Sequence, residues 1–240
     1  AARAAARAAA PAGGTAAWDR LARKHVRDGG VDYAAVARDR ADLDAFLAHV
    51  RRTDPAKLPT NDRLAFLTNA YNAVVVHHVL ALYPGVKSVK DVDGFFDEKT
   101  FPVGGKPMTL DALETAAREI DPRVHFAVVC ASTSCPDLRG EAYTGARIDR
   151  QLREQTHRFL ADPNKGLRYD EKANELHLSS IFKWYAQDFT DSSRVVAFFA
   201  RGGVRDWVVE HLGDRRLAER IRQREPGVRY MDYDWSLNDR

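Results

Sequence analysis

The chain of 240 residues is 45% hydrophobic and 30% charged, enough apolar material for one large core under a mixed-charge surface, which excludes disorder over its whole length. Its formal charge is only +3, with Lys and Arg interleaved among Asp and Glu, so nothing calls for a nucleic-acid partner. The longest apolar stretch, residues 73–82, is interrupted by His77 and His78 and is too short and polar for a membrane span, and two cysteines exclude a disulfide framework.

Residues 1–14, AARAAARAAAPAGG, have almost nothing to bury and read as a disordered Ala-rich tail, leaving residues 15–240 as a single domain. With no initiator Met and no apolar segment near the start, the protein is expected either in the cytoplasm or in a form trimmed by processing. Trp18, Leu21, Ala22 and Val26 fall at helical spacing until Gly29-Gly30 stops the helix. A second helix is expected over Ala41–Arg52, with Leu43, Phe46, Leu47 and Val50 inward. Thr60 or Asn61 can cap a third, running to Tyr83 ahead of Pro84-Gly85; its apolar residues go all the way round, which marks a central, buried helix. Residues 100–103 and 106–108 flank Gly104-Gly105 as a hairpin, and Thr109 can cap a helix reaching Glu119.

Residues 123–130, RVHFAVVC, are rich in β-branched and aromatic side chains and lie between Asp121-Pro122 and a Ser/Thr loop, which predicts a central strand. The loop after it, ahead of a helix near 146–160, is long enough to suggest a functional role. A hairpin of 167–169 with 175–178 follows, then helices at 181–189, 195–200, 204–212 and 217–223, and an extended end, VRYMDYDW. Short strands scattered between helices favour an α+β fold, a single domain with a helix-rich body around a small sheet, over a doubly wound parallel sheet.

Asn69 and Asn72 lie three apart on one side of the central helix. A buried amide needs partners, so each either braces loop backbone or orients a catalytic His or a substrate carbonyl. His125, among apolar neighbours, reads as a shielded core histidine. On a strand it would stand about 16 Å from Cys130 and on the opposite face. Cys135 precedes Pro136 and can N-cap a single turn over 137–139, where backbone N–H groups favour a thiolate while Asp137 opposes it. The alternative for Cys130 and Cys135 is a local disulfide or a pair of inert thiols. No cofactor or metal site is expected: there is no C-x-x-C or H-x-x-x-H pair and no Gly-rich phosphate loop, His77 and His78 point apart, and nothing beyond accessibility marks His177.

Five motifs, TNAYNA at 68–73, RVHFAVVCASTSCPDLR at 123–139, EAY at 141–143, LSSIFKWYAQDF at 178–189 and YDWSLN at 233–238, together resemble the domain of unknown function 547 family from about Trp18 to the end. The resemblance implies that Asn69, Asn72, His125, Cys130, Cys135, Pro136, Tyr143, Trp184 and Tyr185 stand at family positions, and it implies an envelope location, periplasmic or secreted, after loss of a signal peptide. Two departures stand out. Leu67 and Thr68 replace an aromatic and an aliphatic residue, and Glu114-Thr115 replaces Glu-His, so a catalytic His there in relatives would be lost here.

Two functions are therefore expected to compete. The preferred one is a non-catalytic envelope domain that binds a small molecule or a protein partner, with Tyr143, Trp184 and Tyr185 as binding residues and Cys130–Cys135 as a bridge. The alternative is a thiol-dependent hydrolase or transferase with Cys135 as nucleophile, a histidine such as His125 as base, and Asn72 or Asn69 as orienter or oxyanion donor.

Overall fold

The computed structural model describes residues 14–190 and 203–240. Trp18, Leu21 and Ala22 form the buried stripe of α1 (Thr15–His25). Its end is not a simple stop at Gly29-Gly30: Gly29, at φ +77°, turns the chain into a two-residue hairpin, β1 (Val26–Arg27) with β2 (Gly30–Val31). Asp32 then caps α2 (Tyr33–Arg38) by accepting from the Ala35 N–H at 2.8 Å. In α3 (Ala41–Arg52) the expected inward residues are buried, and the Phe46 ring stacks 5.8 Å from Trp18.

The all-round apolar segment becomes α4 (Thr60–Leu80), in which every residue from 64 to 76 is buried. Neither Thr60 nor Asn61 caps it; the helix starts directly after Pro59, whose missing N–H and fixed φ set the chain direction instead. Strands β3 (Thr100–Val103) and β4 (Lys106–Thr109) form the expected hairpin through Gly104 and Gly105, both at positive φ. A Cβ on Gly104 would stand 2.8 Å from Asp54 Cα, so the turn needs glycine for space as well as for φ. Thr109 caps α5 (Leu110–Arg118) by accepting from the Ala112 N–H.

The central strand expected over 123–130 is absent. Asp121 accepts from the Arg123 N–H and Pro122 takes the first helical position, so Pro122–Phe126 forms a 3-10 turn. Residues 127–130 continue as irregular backbone. Side chains take the place of strand neighbours: the Asn72 amide donates to Ala127 O (3.0 Å) and accepts from the Val129 N–H (2.9 Å). Asn69 does the same for Tyr143, donating to its carbonyl at 2.8 Å and accepting from its N–H at 2.9 Å. From α6 (Ile148–Ala161), Gln151 holds Ala142 O and the Thr144 N–H, while Gln155 holds Asp137 O. Four buried amides thus satisfy backbone that no sheet reaches.

Beyond α6 lie β5 (Leu167–Asp170), β6 (Glu175–Leu178), α7 (Ile181–Trp184), a 3-10 turn (Ala186–Phe189), α8 (Val204–His211), α9 (Arg215–Arg224) and β7 (Gly227–Tyr230). The order β5-β6-β7 pairs the first two strands antiparallel and the last two parallel. The expected helix at 195–200 and residues 1–13 of the expected tail lie outside the described residues. The result is an α+β fold with three small sheets among the described residues instead of one. None of their helices is long and apolar enough to cross a membrane.

Apolar side chains gather in two clusters. The larger draws on α1 to α5 and the residues around the two cysteines. The smaller combines Phe126, the end of α6, the three-stranded sheet and α7 to α9. The chain end after β7 is extended and crosses the larger cluster, bridging Ser236 to Ser88 and Leu237 to Ser132.

Candidate functional site

A cavity of about 420 Å³ is lined by residues of both clusters. α5 contributes Asp111 and Glu114, the 122–130 segment His125 and Val128, and the following turn Cys130 and Cys135. The lining also includes Trp184 and Tyr185 at the end of α7, and Tyr233 and Trp235 of the chain end.

Cys130 Sγ and Cys135 Sγ are 2.9 Å apart and both thiols are free, so the expected disulfide is not formed. The separation is a hydrogen-bond approach, well beyond the about 2.05 Å of bonded sulfurs. Ala131, at φ +63°, reverses the chain between Cys130 and Ser132, and the Cys135 N–H donates to Ser132 O at 3.2 Å. Ser132 Oγ then lies 3.0 Å from Cys130 Sγ, and the Cys130 N–H donates to Cys135 Sγ at 2.9 Å.

No helical turn follows Cys135, contrary to expectation, so no helix N-terminus faces its sulfur. Residues 136–139 run irregularly, tied down by the Leu138 N–H to Gly29 O and by Gln155 to Asp137 O. Asp137 is turned away into ion pairs with Lys165 (2.7 Å) and Arg158 (2.9 Å). The thiols differ in environment: Cys135 is buried and Cys130 half-buried. Burial opposes ionisation of Cys130, but hydrogen bonds from Cys135 and Ser132 outweigh it and bring its pKa to about 7. Burial and the neighbouring Cys130 push Cys135 well above the ordinary thiol range, so it keeps its proton.

His125 is clamped. Its Nε2 lies 2.8 Å from Asp188 Oδ2, its Nδ1 3.3 Å from Glu114 Oε1, and the Tyr185 ring covers it at a centroid distance of 4.2 Å. Arg118 binds the same Asp188 oxygen at 2.7 Å. Burial works against the Asp188 charge, yet the hydrogen bonds from His125 and Arg118 hold its carboxyl below the ordinary range. Burial also raises the Tyr185 phenol, and the Glu114 carboxylate raises it further.

The structure therefore brings His125, Cys130, Cys135, Trp184 and Tyr185 to one cavity. The expected separation of His125 from Cys130 on opposite strand faces lapses, because the segment is a 3-10 turn and irregular chain. Asn69, Asn72 and Tyr143 stand apart from the cavity lining: both amides hold loop backbone, and the Tyr143 side chain is in the larger core with its hydroxyl unpaired. Sequence reasoning does not single out Ser132, Asp188, Tyr233 or Trp235. The usable signal was the alternation Y-x-W in an extended segment, which puts both rings on one face. Among the described residues, no three His, Cys, Asp or Glu side chains converge to hold a metal ion.

Residues 55–160 match the model of a family described as protein of unknown function, DUF547. The match supports the resemblance read from the motifs and spans the first three of them; the motifs at 178–189 and 233–238 lie beyond it. No curated protein and no solved structure matches the chain.

Proposed function

We propose that the cavity is the active site of a thiol-dependent acyl-transfer enzyme, a hydrolase or transferase of small molecules, with Cys130 as its nucleophile. The observation that carries this reading is the placement of a half-buried Cys130 Sγ in the cavity lining, with Cys135 Sγ and Ser132 Oγ at 2.9 and 3.0 Å. Cys135 can donate directly to a thiolate, and the single Ser132 proton can reach it either directly or by way of the Tyr233 hydroxyl, which makes the nucleophile available near neutral pH. Cys135, the nucleophile expected from sequence, is the proton-bearing partner in this scheme.

In the reaction, the Cys130 thiolate attacks a substrate carbonyl, forming an S–C bond as the carbonyl π pair moves to oxygen. Return of that pair breaks the bond to the leaving group, which takes the Cys135 proton. Water or another nucleophile then cleaves the thioester, restores the Cys130 thiolate and returns a proton to Cys135. Among the described residues, Asp93, Asp97 and Asp111 line the cavity with Lys90 as the one Lys or Arg, which favours neutral or cationic substrates over anionic ones.

A second reading, a binding pocket without turnover, draws support from His125. Both of its ring nitrogens face carboxylates, leaving neither free to serve as a general base. Mass-resolved alkylation across pH, combined with incubation with an activated thioester, separates the two. The catalytic reading expects Cys130 to label with a midpoint near pH 7 while Cys135 stays slow, and an acyl group to be trapped on Cys130. Labelling of Cys130 only near the unperturbed thiol value of about 8.5, with no acyl adduct, leaves the binding reading.

A further inference from the structure

We infer that Tyr233 is a positioning residue for the Cys130 sulfur, and that the extended chain end carrying it is an integral part of the site. The inference rests on the reading of Cys130 as the reactive thiol. Tyr233 Oη lies 3.4 Å from Cys130 Sγ and accepts from Ser132 Oγ at 3.3 Å. Its own proton is then free to be donated to the sulfur. Burial and the two thiols raise the phenol well above its ordinary value, so that proton is present throughout the neutral range.

The chain end is fastened to the same turn that carries the thiols. The Thr133 N–H donates to Ser236 O (2.8 Å), the Ser134 N–H to Asp234 O (3.1 Å), and the Asn238 N–H to Ala131 O (3.0 Å). In return the Asp234 N–H donates to Ser134 Oγ at 2.9 Å. The Tyr233 ring is fixed between Trp184 and Trp235, at centroid distances of 4.9 and 4.7 Å. The hydroxyl is therefore placed by a contact that reads whether the chain end is docked.

Other ionisable groups face the cavity and must be held constant. Asp111 and Glu114 of α5 and Asp93 and Asp97 of the preceding loop oppose a thiolate, while Lys90 favours one. His125, Cys135, Tyr71 and Tyr185 complete the set, and all of them are retained in the variant that tests the inference.

Tyr233→Phe keeps the ring between the two tryptophans and removes only the hydroxyl. The Cys130 alkylation midpoint is expected to rise by about one pH unit, with labelling at pH 6 about tenfold slower, and Tyr230→Phe, at an exposed ring outside the cavity lining, is expected to leave the midpoint in place. An unmoved midpoint in folded Tyr233→Phe overturns the inference. Should that variant not fold, difluorotyrosine placed at position 233 decides: its more acidic phenol is expected to lower the midpoint, and no change overturns the inference. A shifted midpoint without any acyl adduct supports Tyr233 and removes only the catalytic reading. An acyl adduct with an unmoved midpoint does the reverse.

Discussion

The two sides of the cavity are built differently. The stretch 55–160 supplies Cys130, Cys135, His125 and Glu114 from backbone anchored by the buried amides of Asn69, Asn72, Gln151 and Gln155. The chain beyond it supplies Trp184, Tyr185, Tyr233 and Trp235 from the end of a one-turn helix and an extended end, with Asp188 of a 3-10 turn behind His125, and Trp184 remains 47% exposed. One side is fixed by hydrogen bonds that cannot be exchanged for water. The other rests on aromatic contacts, on ion pairs that water can reach, and on the backbone hydrogen bonds of the chain end to residues 131–134. The thiols should therefore lose their geometry when an amide is removed, while on the other wall only the Tyr233 hydroxyl and the docked chain end bear on them directly.

Asn72→Leu should produce the largest effect. It strands Ala127 O and the Val129 N–H, both satisfied by this one side chain, in the buried segment that leads directly into Cys130. At about 1–3 kcal/mol for each buried unsatisfied group, a loss of roughly 2–6 kcal/mol is expected in chemical denaturation, with slowed or erratic Cys130 labelling. Asn61→Leu, on an exposed residue of the same helix, should stay within about 0.5 kcal/mol. Equal losses would mean that the amide is not what holds the thiol segment.

The amide's role also marks where sequence reading succeeded and where it stopped. Helical periodicity located α3 and the buried α4, and turn chemistry located the Gly104-Gly105 hairpin and the Thr109 cap, because those signals are local. The 123–130 segment carries a strand's composition, yet its hydrogen-bond partners include the Asn72 amide, the Cys135 sulfur and its own 3-10 turn, and no composition reports that. The need of Asn69 and Asn72 for partners was legible; which partners was not. The same holds for Cys135, whose Cys-Pro dipeptide suggests a helix start until Asp137 is drawn off by Lys165 and Arg158. Tyr233 and Trp235 reach the thiols only through pairing about a hundred residues distant in sequence, as in Ser132 with Leu237.

Acid should separate the two sides next. Burial disfavours the Glu141 charge, but hydrogen bonds from Arg139, Gln151 and Arg147 hold its carboxyl at about 2. The folded state then binds fewer protons than the unfolded one, so the contribution is complete above the ordinary carboxylate pKa and is lost as pH falls through about 2. Allowing for solvent screening, it amounts to about 1–2 kcal/mol. Asp188 is depressed in the same direction through His125 and Arg118, with the same sign. Glu141→Gln should flatten the loss of stability on acidification without moving the Cys130 midpoint. Asp188→Asn should flatten it as well, and should also release His125 and Tyr185, altering ligand binding in the cavity. Identical pH–stability profiles for either variant and the parent, from urea titrations between pH 2 and 6, would show that its ion pairs are solvated and contribute nothing.

The smallest effect concerns the turn itself. Ala131 is 1% exposed and sits at φ +63°, a conformation that costs an L-residue about 1–2 kcal/mol. Ala131→Gly removes that strain but gives up the buried methyl, about 0.8 kcal/mol, and enlarges the unfolded-state entropy by about 0.4–1 kcal/mol. These terms nearly cancel, so the variant should lie within about 1 kcal/mol of the parent. Ala127→Gly provides the reference, because Ala127 is equally buried at φ −118°, where glycine relieves nothing. It should lose about 1.5 kcal/mol from the same two costs. If both variants lose the same amount, Ala131 is not strained, and the close approach of the two sulfurs must be maintained by Ser132 and the docked chain end alone.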